Sequence, residues 1–434
     1  MLSQGRRLAV TNLAAQGGAL VSLSVASLLV ARAGGPAVVG EYALLRVLPW
    51  LTGLLVSSGL PVASAYFLAS ERRGDPRLRP TLSAVAVLGS LVGACLWLAL
   101  ARPLQLLLFH GLPTHLIALA AGAVATQLLT VTAKACCQGS DDIGGANLVI
   151  VAEELWFLPA YGVVLATGGR GASAVVVALL AAGAAATATG IARLARRGFF
   201  AGWRHRDARP SWRLARGVAW YGARSQAGNF MWLMNLRLDF LLLAALAGPA
   251  VVGVYAVASK FAELMRLGPT ALNYVLYPRF ARIGRAAAAR EAPRITRIAT
   301  LLTLAGTPVM VVLTYVALPL LYGTEFRGAV LPGCIILGGL AVEGAAAVSS
   351  AYLCGTERPG RNTGAMAAGL VVTVVLDVLL IPSHGAVGAA VASGAAYLTT
   401  TAVLFTLTHR FVRIDAVAPP VGPADPIGAA TRSG

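Results

Sequence analysis

The stretch that decides the fold is GPAVVGEYA, Gly35 to Ala43, because the chain spells it again as GPAVVGVYA, Gly248 to Ala256. A Gly-Pro corner does not dictate the residues that follow it. Nine positions with one mismatch therefore mark an internal repeat rather than two similar turns. The offset is 213 residues, and other features fall near that register. Asn12 and Gln16 meet Ser225 and Asn229, and Gly171-Ala172 lies near Gly385-Ala386. Gly139-Ser140-Asp141 echoes Gly355-Thr356-Glu357 with a slip of about three residues.

The segments between these landmarks are apolar. Of 434 residues, 57% are hydrophobic and 12% charged, and the mean hydropathy is +0.75, more than a soluble domain can hide in its core. Runs long enough to cross a bilayer, roughly 20 residues each, extend over 8–31, 42–69, 81–101, 114–137, 148–167 and 172–194. A second set covers 218–247, 250–280, 295–321, 329–352, 363–381 and 386–411. These readings give an all-α membrane protein of about twelve transmembrane helices. The repeat offset contains six spans, an even number, so both copies face the same side of the membrane as parallel repeats about an axis along its normal. The expected organisation is a six-helix bundle over 1–194, a basic linker over 195–216, a second six-helix bundle over 217–412 and a disordered tail over 413–434.

The net charge of +18 raises nucleic acid as a partner, and the charge distribution argues against it. With the amino terminus cytoplasmic, the same side holds Arg6, Arg7, Arg72, Arg73, Arg77, Arg79, Lys134, the arginines of 193–216 and 279–297, Arg358, Arg361, Arg410, Arg413 and Arg432. The opposite loops hold Arg32, Arg102, Arg170 and Arg327. That alternation is the positive-inside rule, with both termini cytoplasmic. The linker interleaves aromatic residues with its arginines, which reads equally as an interfacial helix on anionic lipid or as an ordinary cytoplasmic loop. The five cysteines and five histidines are scattered, so no disulfide framework, metal cluster or catalytic triad is expected. Arg6, Arg7 and the pattern Ala31-Arg32-Ala33 imitate an export signal, but cleavage there would remove a span whose counterpart the second half keeps.

Ionisable groups inside spans cost about 2.5 to 3.5 kcal/mol each on insertion scales and face a wet cavity or a partner. They concentrate here as Arg46 in the second span, Arg224, Arg237 and Asp239 in the seventh, and Lys260, Glu263 and Arg266 in the eighth. At about 100° per residue, Ser259, Glu263, Arg266, Thr270, Asn273 and Tyr277 form one stripe of the eighth helix, and Arg46, Trp50, Gly53, Ser57 and Ser64 a similar one on the second. The expectation is that polar faces of helices one, two, seven and eight converge on a cationic, water-filled cavity suited to an anionic substrate. The alternative is a set of buried ion pairs in which Arg237 meets Asp239 or Glu263, and Lys260 meets Glu263. Pro49, Pro61 and Pro269 are candidate kinks. Glu153, Glu154, Glu343 and Asp377 receive no role. Tyr42 and Tyr255 are expected at the outer interface, with no substrate contact from the repeated corner.

The segment NLRLDFLLLAALAGPAVVGVYAVASKFAELMRLGPTALNYVLYPRF, with Arg237, Asp239, Gly248, Gly253, Tyr255, Glu263 and Pro278, resembles helices seven and eight of the polysaccharide-type flippases of the multidrug/oligosaccharidyl-lipid/polysaccharide (MOP) exporter superfamily. Gly35, Gly40, Tyr42, Gly59 and the run Gly385 to Ala390 extend the resemblance over nearly the whole chain. The resemblance implies two six-helix bundles forming a V around a central cavity. It also implies transport of undecaprenyl-diphosphate-linked oligosaccharide across the bacterial cytoplasmic membrane by alternating access, without a cofactor, driven by a proton or sodium gradient or the membrane potential. On that basis Arg46, Arg224, Arg237, Lys260, Arg266 and Asn273 are candidate substrate-binding residues, and Asp239 and Glu263 candidate ion-coupling residues. Membrane lipids and a glycan polymerase or chain-length protein are the expected partners of a monomer. The rivals are a lipid II flippase, which often has two more helices, a MATE-like antiporter, for which an acidic cavity would be expected, and a membrane glycosyltransferase or polymerase.

Overall fold

Inside hydrocarbon every backbone polar group must find its partner within the chain, so apolar runs of this length fold as helices. The computed structural model describes residues 2–70, 74–201, 203 and 208–417, and among these there is no strand. The helices are α1 (Leu2–Ser57), α2 (Leu60–Ala69), α3 (Leu78–Leu107), α4 (Thr114–Leu119), α5 (Ala121–Gly139), α6 (Ile143–Leu155), α7 (Phe157–Ala166), α8 (Gly171–Arg196), α9 (Trp212–Ala247), α10 (Pro249–Ile283), α11 (Arg285–Tyr322), α12 (Val330–Leu340), α13 (Glu343–Gly355) and α14 (Pro359–Val417). Seven described helices are long and apolar enough to cross a membrane, or eight if Thr324–Leu340 and Glu343–Gly355, bent by 44°, make one span. The protein is thus a multi-pass membrane protein. Two of the long helices, α1 and α14, are each two helices joined across a glycine corner, Gly35 and Gly385.

The chain divides into two compact units. The first comprises the residues up to Lys260 with Val316–Val330 and Asp377–Ala389; the second comprises Phe261–Tyr315, Leu331–Leu376 and the chain from Ala390 onward. In the first unit α5 packs against α1, α2, α3, α6 and α8. α14 stays helical to Val417, past the expected start of the tail at 413, and the rest of the tail lies outside the described residues. Between α8 and α9, residues 197–201 and 203 form turns and 208–211 have no regular structure, while Gly202 and 204–207 lie outside the described residues. Pro61 does not kink a continuous helix: it sits in the first turn of α2, after a break at Ser58 and Gly59, where the missing N–H has no partner to lose.

Both copies of the repeated corner lie in the first unit, and they pack on each other. Gly35 (φ 70°, ψ −171°) and Gly248 (φ 84°, ψ 174°) share a backbone conformation that is essentially restricted to glycine. Pro36 and Pro249 then open the following helical legs with a ring pre-set for the first turn. A Cβ on Gly40 would lie 1.8 Å from the Pro249 carbonyl oxygen and 2.9 Å from the Gly253 nitrogen. A Cβ on Gly253 would lie 1.8 Å from the Pro36 carbonyl oxygen and 2.9 Å from the Gly40 nitrogen. The contact is reciprocal, as a local two-fold relation between the copies requires. Arg32 lies just before the first corner and donates to the Leu321 and Leu320 carbonyls at 2.7 Å each, which makes the first span part of the folded structure.

A second landmark recurs within each unit separately. In the first, a Cβ on Gly139 would meet the Ala65 carbonyl at 2.6 Å; in the second, a Cβ on Gly355 would meet the Tyr277 carbonyl at 2.9 Å. Asp141 (φ 60°) and Glu357 (φ 65°) follow in the left-handed region, 216 residues apart. The next residue in each copy is charged and clamps the end of a later helix. Asp142 caps α6 through the Gly145 N–H at 3.0 Å and accepts from Arg193 Nε and Nη2 at 2.7 Å each, with Arg197 at 3.4 Å. Arg358 donates to both oxygens of Asp415 at 2.7 Å, and the Tyr352 hydroxyl bonds the same carboxylate. The clamp is the same in both units with its charges exchanged.

Two outcomes follow from these contacts. Gly40→Ala or Gly253→Ala drives a methyl group into a carbonyl and should cost at least about 4 kcal/mol, read as loss of the monodisperse protein on gel filtration in detergent. Gly17→Ala, whose methyl would meet nothing within 4 Å, should be far milder. The hydrogen bonds from Arg193, aided by the Gly145 N–H and the charge of Arg197, hold the Asp142 carboxyl below its ordinary value of 3.8. The folded value lies below the unfolded one, so the clamp stabilises fully above the unfolded value and its contribution disappears as pH falls through the folded one. Thermal unfolding across pH 3 to 7 should therefore show an acid-side loss that Asp142→Asn lacks.

Candidate functional site

The second leg of α1 presents Arg46 to a cavity of about 400 Å³ in the first unit, lined also by Trp50, Gln127, Thr130, Glu153, Glu154 and Arg237. A lone guanidinium there would be costly, and Arg46 is not alone. Its Nη2 bonds Glu154 Oε1 at 2.6 Å and its Nη1 donates to the Tyr42 hydroxyl at 3.2 Å. Beside it, Glu153 accepts from Gln127 Nε2 at 2.7 Å and faces Lys134 Nζ at 3.6 Å. Glu154 Oε2 is buried without a hydrogen-bond partner among the described residues. This cavity is of mixed sign: it is lined by Arg46 and Arg237 along with two glutamates to which the sequence alone assigns no role. Asn12 donates to Asn147 Oδ1 of α6 at 2.7 Å. Nothing is described of the side chains of Ser225 and Asn229, the counterparts of Asn12 and Gln16.

The two tyrosines of the repeat are not at an outer interface. Tyr42 and Tyr255 are 3% and 1% exposed. Packing of the two corners turns each phenol inward. Tyr42 meets Arg46, and the Tyr255 hydroxyl bonds Asp239 Oδ2 on α9. Asp239 is buried, and its Oδ1 also takes the Phe240 N–H at 2.8 Å. Within electrostatic reach lies a further carboxylate, Asp377 of α14. Asp377 is 0% exposed, and neither of its oxygens has a hydrogen-bond partner among the described residues. A buried carboxylate without donors does not persist as a bare anion; it holds a proton or a cation. Asp377 could have been found from sequence as the one acid within the apolar run VVTVVLDVLLIP.

The remaining candidates are distributed between the units. Arg224, on α9, is exposed, and its guanidinium lies 5.5 Å from the centre of the Trp220 ring. It stands near a cavity of about 690 Å³ lined by Ser58, Arg213, Arg216 and Trp220. Lys260 is half-buried at the end of the first unit's share of α10. In the second unit Arg266 Nη2 faces Glu343 Oε1 at 3.4 Å, its guanidinium lies 5.2 Å from the Tyr397 ring centre, and Glu263 is within electrostatic reach. Asn273 spends its amide on the Ala347 carbonyl at 2.9 Å, joining α10 to α13. Glu343 thus gains a role as the partner of Arg266.

The described residues thus place buried, paired and partly unsatisfied charges inside apolar helices. Two solved structures match over 94% of this chain with TM-scores above 0.7. One is an inward-facing multidrug resistance MATE family transporter of the MOP superfamily, with a TM-score of 0.73, 15% identity and 98% of that chain covered. The other is the lipid II flippase MurJ in an inward closed conformation, with a TM-score of 0.71, 11% identity and 89% covered. The Vibrio cholerae MATE transporter VcmN in its bent form also matches over 94% of this chain, with a TM-score of 0.56, 15% identity and 98% of that chain covered. No curated protein matches this chain in sequence. The family model described as "Polysaccharide biosynthesis protein" matches residues 29–331, from the first glycine corner to the start of α12. On that match the chain belongs to the polysaccharide biosynthesis protein family, and it has the fold of MOP-superfamily transporters.

Proposed function

We propose that the protein flips an undecaprenyl-diphosphate-linked oligosaccharide, a polysaccharide repeat unit, from the inner to the outer leaflet of the bacterial cytoplasmic membrane by alternating access. The observation that carries this reading is the match to a polysaccharide biosynthesis family over 29–331 in a chain with a MOP transporter fold. The proposed organisation is twelve spans in two six-helix bundles, 1–194 and 217–412, forming a V, with both termini cytoplasmic. Arg46, Arg224, Arg237, Lys260 and Arg266 attract the diphosphate and any acidic sugars, and Asn273 stands on the same stripe of α10. Glu263 lies on that stripe too. Asp239, Glu263 and Asp377 are the candidate coupling carboxylates: Asp377 is buried with no described donor, and a proton or a sodium ion taken up there is released when water reaches the site. No resident cofactor is required. A monomer working beside a glycan polymerase or chain-length protein fits this role.

A second reading, a cation antiporter of the MATE type, draws on Glu153 and Glu154 in the first unit's cavity. A lipid II flippase is a third member of the same class. In a deletion strain, the proposed function predicts lipid-linked glycan built inside the cell and not exposed outside. Restored export without change in drug resistance or peptidoglycan synthesis would select it, and unaltered glycan exposure would overturn it.

Two variants address the site. Asp377→Asn keeps the shape, removes the unsatisfied charge and should leave folding intact while lowering glycan export at least about tenfold. Arg46→Ala strands Glu154 and should destabilise by about 3–5 kcal/mol. The double variant Arg46→Met/Glu154→Leu should recover folding, measured by unfolding in detergent, without recovering export.

A further inference from the structure

Described residues of the linker between α8 and α9 line a partly open cavity of about 670 Å³ together with α3, α5 and α8. That size falls within the roughly 300–1,000 Å³ of small-molecule sites. Its inner wall, including Leu82, Ala133, Cys136 and Leu194, belongs to a buried hydrophobic core. Three linker aromatics complete the wall edge to face, Phe199 to Phe200 at 5.3 Å and Phe200 to Trp203 at 5.0 Å between ring centres. The linker is strapped to the start of α3 by residues before and after its lining aromatics. Arg79 Nη1 donates to the Gly198 carbonyl at 3.2 Å, and the Ser211 N–H donates to Thr81 Oγ1 at 2.9 Å.

Two polar features break this apolar lining. Thr132, 4% exposed, has a buried hydroxyl without a partner among the described residues. Arg209 is the cavity's charged lining residue; it is exposed and makes no hydrogen bond or ion pair with any described residue. A partly open apolar cavity whose described lining carries a cation without a described partner and a partly exposed tryptophan suits a ligand with an apolar chain and an anionic head.

We infer that this cavity binds one anionic phospholipid of the leaflet that faces the basic linker, its acyl chain within the aromatic wall and its phosphate at Arg209. Arg209 supplies the charge preference. Thr132 offers its hydroxyl to an ester carbonyl, and the bound lipid fills the space beneath the linker, holding it against α3. The site is separate from the cavity holding Arg46 and Arg237 and does not depend on which glycan is carried.

Native mass spectrometry of the full chain in detergent, titrated with phosphatidylglycerol or phosphatidylcholine, tests this. One phosphatidylglycerol should be retained at least about fivefold more tightly than phosphatidylcholine, and Arg209→Glu should remove that preference. Ala84→Trp, which fills the cavity from an exposed position on α3, should abolish the adduct while the elution profile stays that of the parent. Should Ala84→Trp fail to fold, Ser83→Leu, on the same wall, takes its place. Equal retention of the two lipids, or a preference unchanged in Arg209→Glu, overturns the proposal. Tighter retention of undecaprenyl phosphate than of phosphatidylglycerol also overturns it and assigns the cavity to the carried lipid's tail. Glycan export is read in a separate experiment, so failure here is distinguishable from failure of the flippase reading.

Discussion

The first unit depends on two glycines that meet where no side chain can stand. With Cβ positions 1.8 Å from the opposite carbonyl oxygens, Gly40 and Gly253 bring the two copies of GPAVVG into direct backbone contact. Helices in lipid gain little from hiding apolar surface, since lipid is equally apolar; close backbone approach at small residues is what holds them together. The glycine conformation at Gly35 and Gly248 sets the angle of entry, proline starts the next helical leg, and the reciprocal contact fixes rotation about each helix axis. Two residues further on, that rotation points Tyr42 and Tyr255 inward.

The repeat therefore preserves backbone geometry within one chain while its charges diverge. Tyr42 meets a guanidinium and Tyr255 a carboxylate. Asp142 reaches to Arg193 in one unit, whereas Arg358 reaches to Asp415 in the other. A duplicated scaffold with unlike charges gives the chain two chemically distinct sets of side chains on similar backbone parts. One unit holds the Arg46–Glu154 pair and the Asp239 and Asp377 carboxylates, and the other holds Arg266 with Glu343.

Much of this was legible in the sequence. Apolar length located the helices, and the repeated corner set the register to within a few residues, because both are one-dimensional properties of the chain. Rotation of helices was less legible. In water a polar stripe faces out and an apolar one faces in, but a membrane helix is apolar towards both lipid and neighbours, so Tyr42 and Tyr255 read as interface anchors although both are buried. Partners far apart in the chain, such as Arg46 and Glu154, leave no local pattern at all. Asp377 was visible as an anomaly, a lone acid in an apolar run, but its meaning required seeing that nothing described donates to it.

The contrast between Asp142 and Asp377 shows why burial alone does not identify a working carboxylate. Asp142 is buried with two arginines and a backbone N–H around it; its charge is fully employed in holding α8 to the turn before α6. Loss of that charge removes a fastening. Asp377 is buried at least as deeply, and no described residue donates to it, so its carboxylate fastens nothing. A buried carboxylate left without donors calls for a proton or a cation beside it. Under the proposed function, exchange of that ion when water enters is the coupling step, and a satisfied pair such as Asp142 with Arg193 cannot provide it.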